Sequence, residues 1–227
     1  MKTAAIIVAA GGSARMGRSV SKPYLNLAGK PVLYYCLQAF ERAKSVDSIF
    51  LVVKKGDERL CERSALKPFR FRKLAGMTTG GKARQESVLN GLESIGRGFG
   101  VVLIHDAARP FITPVLIDKS AAVARKKGAV IVAVPVKDTI KSADGKLRTL
   151  DRRKLWAAQT PQAFRYELIM DAIQRAFKDN YIGTDDAELV ERLGRRVEIV
   201  EGTDGNIKIT TPVDLLVAET LMGVKRK

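Results

Sequence analysis

The sequence predicts an α/β fold in which helices cover both faces of a mostly parallel sheet. Apolar runs of strand length alternate along the chain with segments whose apolar residues recur at helical spacing. The predicted strands are continuously apolar, which is typical of strands buried on both faces. The chain has 227 residues, of which 46% are hydrophobic, and this size suits a single domain, 1–227, with a large core.

The first predicted strand is the apolar run that begins at Ala4, and it ends in a loop of very small residues. Ala9 to Ala14 carry almost no side chain, so their backbone amides can approach an anion closely. Arg15 and Lys22 add two cations beside this loop. Small backbone and paired cations suit a triphosphate, although the loop matches neither the dinucleotide-binding nor the P-loop fingerprint. The alternative interpretation is a tight strand-to-helix turn with two surface cations.

The remaining elements alternate in the same way. Further strands are predicted at 48–53, 69–75, 101–104, 129–134 and 196–200. Helices are predicted over 32–43, 57–66, the residues after Gly81, 114–127, 166–177, 184–193 and the residues after Thr211, where Asp214 completes a capping box. No element is predicted between Asp151 and Phe164.

Two later loops carry residues suited to phosphate chemistry. Gly80 and Gly81 open a helix, and free amides at a helix N-terminus favour an anion or a polar ligand edge; the alternative is an ordinary glycine turn. Asp106 follows a predicted strand, at the end where open α/β sheets bind ligands. Its carboxylate can therefore hold Mg²⁺ or another divalent cation against phosphate oxygens. His105, the only histidine, is interpreted as a packed neighbour rather than a general base.

The pattern changes at 136–149, where Asp144 and Gly145 separate two alternating segments and predict a β-hairpin. A hairpin between two sheet elements projects as an arm, and an arm with little core of its own needs a surface to pack on. We therefore expect 136–155 to be an arm that packs on a second copy of the chain and forms a homodimer. A monomer at micromolar concentration in analytical ultracentrifugation would contradict this expectation.

Composition and charge narrow the class of protein. The formal net charge of +16 favours nucleic acid or phosphorylated small molecules as partners, or simply a solvated basic surface. The cations are scattered in pairs, without a basic helix face or interleaved aromatic residues, so a nucleic-acid partner is not favoured. The apolar runs are too short for a membrane helix or a signal peptide, and the two cysteines lack metal-type spacing. We expect a cytoplasmic protein with reduced thiols and no membrane partner.

Six motifs, in their order along the chain, resemble one known family. They are the small-residue loop with Arg15 and Lys22, Gly80-Gly81 with Arg84-Gln85 and Ser87-Val88, His105 to Pro110, Lys137-Asp138-Thr139, Gln159 to Gln162, and Asn206-Ile207-Lys208. They resemble the cytidylyltransferases that act on 2-C-methyl-D-erythritol 4-phosphate. The resemblance implies a Rossmann-like nucleotidyltransferase fold with a dimerising arm. It also implies transfer of the cytidylyl group of CTP to that acceptor, with release of pyrophosphate, in non-mevalonate isoprenoid synthesis.

The resemblance further implies roles for individual residues. The nucleotide would be bound by Ala9, Ala10, Gly11, Gly81, Ser87, Asp106 and Ala107, and Asp106 would also hold the metal. The catalytic cations would be Arg15, Lys22 and Lys208. The acceptor would be held by Arg109 and Thr160, together with Thr139 and Arg152 from the arm of the second copy.

Elementary chemistry agrees with these roles. The acceptor is a phosphate monoester, which is already ionised near neutral pH, so its attack on the α-phosphorus needs positioning and fixed positive charge rather than a general base. Enzymes that use D-ribitol 5-phosphate would share the loops that bind CTP, but the segments 84–88 and 151–159 look more like the methylerythritol enzymes. The net charge is the one observation that favours a nucleic-acid-binding protein.

Overall fold

The structure is a computed structural model and describes residues 1–11 and 21–224. Its strands are β1 (Lys2–Ala9), β2 (Asn26–Leu27), β3 (Lys30–Pro31), β4 (Ser48–Val53), β5 (Leu74–Thr79), β6 (Phe99–Asp106), β7 (Ala129–Pro135), β8 (Lys141–Ser142), β9 (Arg148–Thr149), β10 (Trp156–Arg165) and β11 (Glu198–Glu201). Its α-helices are α1 (Val32–Arg42), α2 (Glu58–Cys61), α3 (Arg84–Ile95), α4 (Pro114–Lys127), α5 (Tyr166–Lys178), α6 (Asp186–Glu191) and α7 (Pro212–Leu221). A π-helical turn at Glu62–Leu66 continues α2, so the helix predicted at 57–66 is confirmed.

Among the described residues, seven strands form the central sheet in the order β11-β7-β10-β6-β1-β4-β5. β1 lies parallel to both β4 and β6, and the pairs β4–β5 and β7–β11 are parallel as well. Within this sheet only β10 runs antiparallel to its neighbours, β6 and β7. The prediction of a mostly parallel sheet is therefore confirmed.

The two faces of the sheet carry separate apolar clusters. Along β1, Ala5 and Ile7 belong to one cluster, whereas Ala4 and Ile6 belong to the other. Successive strand side chains point to opposite faces, so both faces of β1 are covered. Residues of α1 and α4 complete the first cluster, and residues of α3, α5 and α6 complete the second. This double coverage explains why β1 is continuously apolar.

A smaller apolar cluster joins the beginning and the end of the described chain. Leu25 and Leu27 pack there with Ile209 and Leu215. The predicted capping box of α7 is present, because the hydroxyl of Thr211 and the carboxylate of the third helical residue each accept a backbone N–H of the other. This packing brings the segment before α7 close to Leu25 and β2, which follow the short 3₁₀ helix Lys22–Tyr24.

β10 was not predicted, because its sequence lacks the apolar pattern of a buried strand. Pro161 interrupts the run, and proline inside a predicted strand argues against that strand. Gln159, Thr160 and Gln162 are polar, yet all three are buried. The pairing of β10 with β7 shifts register between Gln159 and Gln162, so the strand accommodates the proline at an irregularity. Side-chain hydrogen bonds satisfy the buried polar groups; for example, Gln159 donates to the carbonyl of Thr203 at 3.0 Å.

The strand predicted at 69–75 was placed too early along the sequence. In the structure β5 covers Leu74–Thr79. Phe69 and Phe71 instead pack around Tyr34 of α1, with ring centroids 4.2 Å and 6.1 Å from the tyrosine ring. Their aromatic character therefore reflects packing outside the sheet.

The hairpin is present where the sequence predicts it. β8 and β9 pair antiparallel, with Lys141 opposite Thr149, and Gly145 in the connecting turn has a φ of +74°. Leu147 in this hairpin is 66% exposed. Both cysteines of the chain, Cys36 and Cys61, are buried free thiols. Among the described helices, none is long and apolar enough to cross a membrane.

Candidate active site

A cleft of about 280 Å³ opens where β1 and β6 end and α3 begins. β1 and β6 are parallel neighbours, so their carboxyl ends meet at the edge where open α/β sheets bind ligands. The lining residues are Val8, Ala9, Ala10, Gly11, Lys22, Pro23, Gly81, Lys82, Ala83, Arg84, Ser87, Asp106, Ala107, Ala108 and Lys208. Most of them are small, and the charged ones are cations apart from one carboxylate.

Close approach of the β1 loop to α3 requires glycine at position 80. A Cβ on Gly80 would lie 2.4 Å from the Cβ of Ala10 and 2.6 Å from the Oγ of Ser87. Next to it, Gly81 donates its backbone N–H to the Ser87 hydroxyl at 3.1 Å, and that hydroxyl donates to the carbonyl of Ala83 at 3.0 Å. Residues this small leave backbone donors and acceptors at the cleft surface, where they can recognise the polar edge of a base.

Asp106 supplies the carboxylate, at the end of β6. Its oxygens lie 2.6 Å from Nζ of Lys208 and 3.2 Å from Nε of Arg84. Burial alone would raise the pKa of Asp106, but the positive charges of Arg84 and Lys208 outweigh burial and hold that pKa well below its usual range. Asp106 is therefore an anion throughout the physiological pH range.

Contacts on both sides of Lys208 hold it at the cleft. Arg109 donates from Nη1 to the carbonyl of Asn206 at 2.8 Å. On the other side, the N–H of Ile209 donates to the carbonyl of Ala108 at 2.8 Å. The side chain of Asn206 is itself fully buried and donates to acceptors on β10. The loop between β11 and α7 is thus attached to the residues that follow Asp106.

His105 lies behind the cleft in a chain of hydrogen bonds. Its Nε2 is 3.1 Å from the carbonyl of Arg109, which can only accept, so Nε2 carries the proton. Nδ1, 3.1 Å from Oγ1 of Thr160, then accepts from that hydroxyl, and the hydroxyl in turn accepts the N–H of Asp106 at 3.1 Å. Burial lowers the pKa of His105 to about 4. The interpretation of His105 as a packed neighbour agrees with its complete burial and with these contacts.

Arg84 connects the cleft to a second carboxylate. From the first turn of α3, its Nη1 and Nη2 donate to the two oxygens of Asp186 at 2.8 Å each. Burial would lower the pKa of Arg84, but the charges of Asp186 and Asp106 raise it above its ordinary value. Arg84 is therefore a fixed cation between two acids.

Comparisons with known proteins agree with this geometry. The family model described as 2-C-methyl-D-erythritol 4-phosphate cytidylyltransferase (IspD) matches residues 3–224. A relative with that name from Syntrophotalea carbinolica is 48% identical over 225 residues, which is 98% of this chain and 97% of the relative. The chain belongs to this family. Its members include proteins of the same name from Pelotomaculum thermopropionicum, 47% identical over 99% of this chain and 96% of the relative.

Solved structures confirm the fold that the resemblance implied. The 4-diphosphocytidyl-2C-methyl-D-erythritol synthase of Anaerococcus prevotii matches with a TM-score of 0.87 and 32% identity, covering 98% of this chain and 96% of that one. The 2-C-methyl-D-erythritol 4-phosphate cytidylyltransferase of Thermus thermophilus matches with a TM-score of 0.79 and 30% identity, covering 99% and 100%. The sheet described above is accordingly that of the nucleotidyltransferases in this family.

Nine of the site residues expected from the sequence meet in the cleft: Ala9, Ala10, Gly11, Lys22, Gly81, Ser87, Asp106, Ala107 and Lys208. Arg109 and Thr160 are not among the described lining residues: Thr160 accepts the N–H of Asp106, and Arg109 donates to the carbonyl of Asn206. Thr139 and Arg152 belong to the arm, are exposed, and do not line the described part of their own cleft. Arg15 lies outside the described residues.

The pair formed by Arg84 and Asp186 was missed by the sequence analysis. Asp185 and Asp186 fall at the start of the helix predicted over 184–193, and Asp185 caps α6 by accepting the N–H of Glu188 at 2.9 Å. Asp186 instead points inward and is 2% exposed. One acid is enough to cap α6, so the second acid, Asp186, was the available signal of another role. Its partner Arg84 is 102 residues away in the sequence, however, and no local pattern connects the two.

Proposed function

We propose that this protein transfers the cytidylyl group of CTP to 2-C-methyl-D-erythritol 4-phosphate and releases pyrophosphate. One observation carries the proposal: in a member of this family, Ala9 to Gly11 after β1, the glycine-bearing start of α3 and the Asp106–Lys208 pair converge on one cleft. The cleft combines a surface of backbone amides with fixed cations, which is what a nucleoside triphosphate requires.

The nucleotide lies against the smallest part of the cleft. Ala9, Ala10, Gly81 and Ser87 hold the cytosine, with Gly11, Asp106 and Ala107 completing the nucleotide-binding set; all seven line the cleft. Lys22, at the start of the 3₁₀ helix, contacts the triphosphate. Arg15 is proposed as a second triphosphate-binding cation on the ground of the sequence motif.

The reaction is an in-line displacement at the α-phosphorus. A phosphate oxygen of the acceptor forms a bond to the α-phosphorus, the bond from that phosphorus to its bridging oxygen breaks, and the electron pair leaves with pyrophosphate. No proton has to be removed from an ionised phosphate monoester, which accords with the buried, neutral state of His105. Lys208 stabilises the charge that develops at the α-phosphate, as fixed donors do in other transition states.

Asp106 is suited to a divalent cation that the substrate helps to hold. Among the described residues, no group of three or more potential ligands surrounds it. Mg²⁺ commonly binds through one or two carboxylates plus substrate phosphates, so a single anionic Asp106 at the cleft surface fits that mode. When bound, Mg²⁺ or another divalent cation would neutralise phosphate charge. Asp106 would hold it, while Lys208 turns from Asp106 to the substrate.

The acceptor phosphate is bound by residues from two copies of the chain. Arg109 and Thr160 contribute from one copy, and Thr139 and Arg152 contribute from the arm of the other, 136–155, in a homodimer. Support comes from the exposure of both arm residues and from the fact that neither is among the described residues that line the cleft of its own chain. In this proposal residues 1–227 form one nucleotidyltransferase domain with that arm. Both substrates are small, charged and water-soluble, so we place the protein in the cytoplasm.

Pyrophosphate release tests the proposal. The purified protein is assayed with CTP and Mg²⁺, first with 2-C-methyl-D-erythritol 4-phosphate and then with D-ribitol 5-phosphate. We expect turnover with the first acceptor and little with the second. Preference for D-ribitol 5-phosphate would preserve the CTP site and overturn the acceptor assignment.

A further inference from the structure

Arg84 is shared unequally between two carboxylates. Its pair with Asp186 is bidentate, with two parallel contacts of 2.8 Å, whereas its contact with Asp106 is a single one of 3.2 Å through Nε. Bidentate guanidinium–carboxylate pairs are the strongest and most directional of these interactions. The structure therefore places Arg84 chiefly on Asp186, although Asp106 is the residue that faces the cleft.

Asp186 is built into the fold rather than attached to the surface. Its own backbone N–H and that of Ala187 both donate to Oε1 of Gln162 at 3.0 Å, and Nε2 of the same glutamine donates to Asp185 at 2.7 Å. β10 and the start of α6 are thus tied together around the Asp186 carboxylate. Asp186 is 2% exposed and is not among the described residues that line the cleft.

Asp186 determines the net charge around Asp106. Asp106, Asp186, Arg84 and Lys208 form a connected group with two negative and two positive charges. When Lys208 turns to a substrate phosphate, the other three retain one net negative charge. Without the charge of Asp186, Arg84 would be left with Asp106 alone, and that pair would be neutral. A neutral pair attracts a divalent cation far less than an uncompensated carboxylate does.

We propose that Asp186 is a positioning residue for the metal step: by holding Arg84 in a bidentate pair, it keeps Arg84 from neutralising Asp106 and so preserves Asp106 as an anionic ligand for a divalent cation. This inference rests on the proposed function, because it takes Asp106 as the metal ligand and Lys208 as a phosphate ligand.

The test compares CTP affinity with and without metal. The Kd of CTP is measured by isothermal titration calorimetry in Mn²⁺ and in EDTA. The readout is the Kd in EDTA divided by the Kd in Mn²⁺, which states how much the metal strengthens CTP binding. Binding of Mn²⁺ to free CTP contributes equally for every variant, so differences in the ratio come from the protein. In Asp186→Asn we expect the ratio to fall about tenfold, a typical effect of removing a partner of a metal ligand.

Removal of both charges separates this role from simple scaffolding. In the double variant Arg84→Gln/Asp186→Asn, Asp106 is no longer neutralised, so the ratio should recover most of the loss seen in Asp186→Asn. Asp185→Asn is the matched control, because it disturbs the same end of α6 without touching Arg84. We expect this control to keep the ratio of the unmodified protein. Melting temperatures of all variants show whether each protein is folded.

The possible results decide between the two proposals. A ratio in Asp186→Asn equal to that of the unmodified protein would overturn the inference, as would a double variant no better than the single one, or an unmodified protein whose CTP affinity gains nothing from Mn²⁺. None of these results depends on the acceptor. Failure to release pyrophosphate with 2-C-methyl-D-erythritol 4-phosphate would instead overturn the proposed function, while the calorimetric comparison still decides the role of Asp186.

Discussion

Acidification should destabilise the fold through His105 before it affects the carboxylates whose pKa values are lowered, such as Asp106 and Asp118. His105 is fully buried, and its pKa is lowered to about 4 because burial disfavours the imidazolium. In the unfolded chain the same group titrates near its ordinary pKa of about 6.5. Between these pH values His105 binds a proton in the unfolded state but not in the folded state. The free energy of unfolding therefore decreases as the pH drops from 6.5 towards 4, and His105 does not change it above pH 6.5.

The size of the effect follows from the width of the window. Each pH unit below 6.5 costs about 1.4 kcal/mol for one proton, so the free energy of unfolding should decrease by about 2 kcal/mol between pH 7 and pH 5. The carboxylates with lowered pKa values, including Asp106 and Asp118, lose their contribution only as the pH approaches the unfolded value of about 4 and below. The interval from 7 to 5 therefore separates the histidine from these carboxylates, and comparison with a variant that lacks the imidazole removes the contribution of Asp186, whose pKa is raised by burial.

Urea unfolding followed by far-UV circular dichroism measures this change. The comparison is His105→Gln, which keeps a donor for the carbonyl of Arg109 but cannot take up the proton. The variant should be less stable at pH 7 and should show a much smaller decrease between pH 7 and pH 5. Equal decreases in both proteins would refute the assignment of a neutral buried imidazole, since Asp186 and the other acids are common to both.

Three further predictions concern the site and the arm. Lys22→Ala should retain the fold measured by circular dichroism and lose turnover by about 10²–10³, the typical cost of removing one preorganised donor; near-normal turnover would exclude Lys22 from the triphosphate site. Gly80→Ala should weaken CTP binding in calorimetry about 5- to 100-fold through overpacking against Ala10, whereas Gly205→Ala, whose Cβ meets nothing closer than 3.9 Å, should not; equal affinities would refute the packing argument. If the arm acts on the second copy, mixing the inactive variants Arg152→Ala and Lys208→Met under conditions of subunit exchange should restore about a quarter of the activity. Half of the dimers are then mixed, and each mixed dimer has one intact site out of two. No restoration would place Arg152 in the site of its own chain.

The sequence was most informative where local pattern and function coincide. The small-residue loop after Ala4–Ala9 and the glycines before α3 are visible because close backbone approach restricts which residues fit. Asp106 was predictable from its position just beyond the predicted apolar strand 101–104. Nine expected residues accordingly meet in one cleft.

Features that depend on long-range contacts were not predictable. β10 carries Pro161 and buried glutamines, and its strand structure depends on partners such as the Thr203 carbonyl that only the folded chain supplies. Arg84 and Asp186 lie 102 residues apart, and no periodicity links them. The position of Lys208 likewise depends on Arg109 and Asn206 meeting across the fold. In each case a polar group finds its partner through tertiary structure, which local propensity does not encode.

The most direct test of the whole account is pyrophosphate release by the unmodified protein with CTP, Mg²⁺ and 2-C-methyl-D-erythritol 4-phosphate, measured against D-ribitol 5-phosphate under the same conditions. We expect clear turnover with the methylerythritol acceptor and a strong preference for it. Release with neither acceptor, from a protein that is folded by circular dichroism, would contradict the assignment of the cleft as a cytidylyl-transfer site.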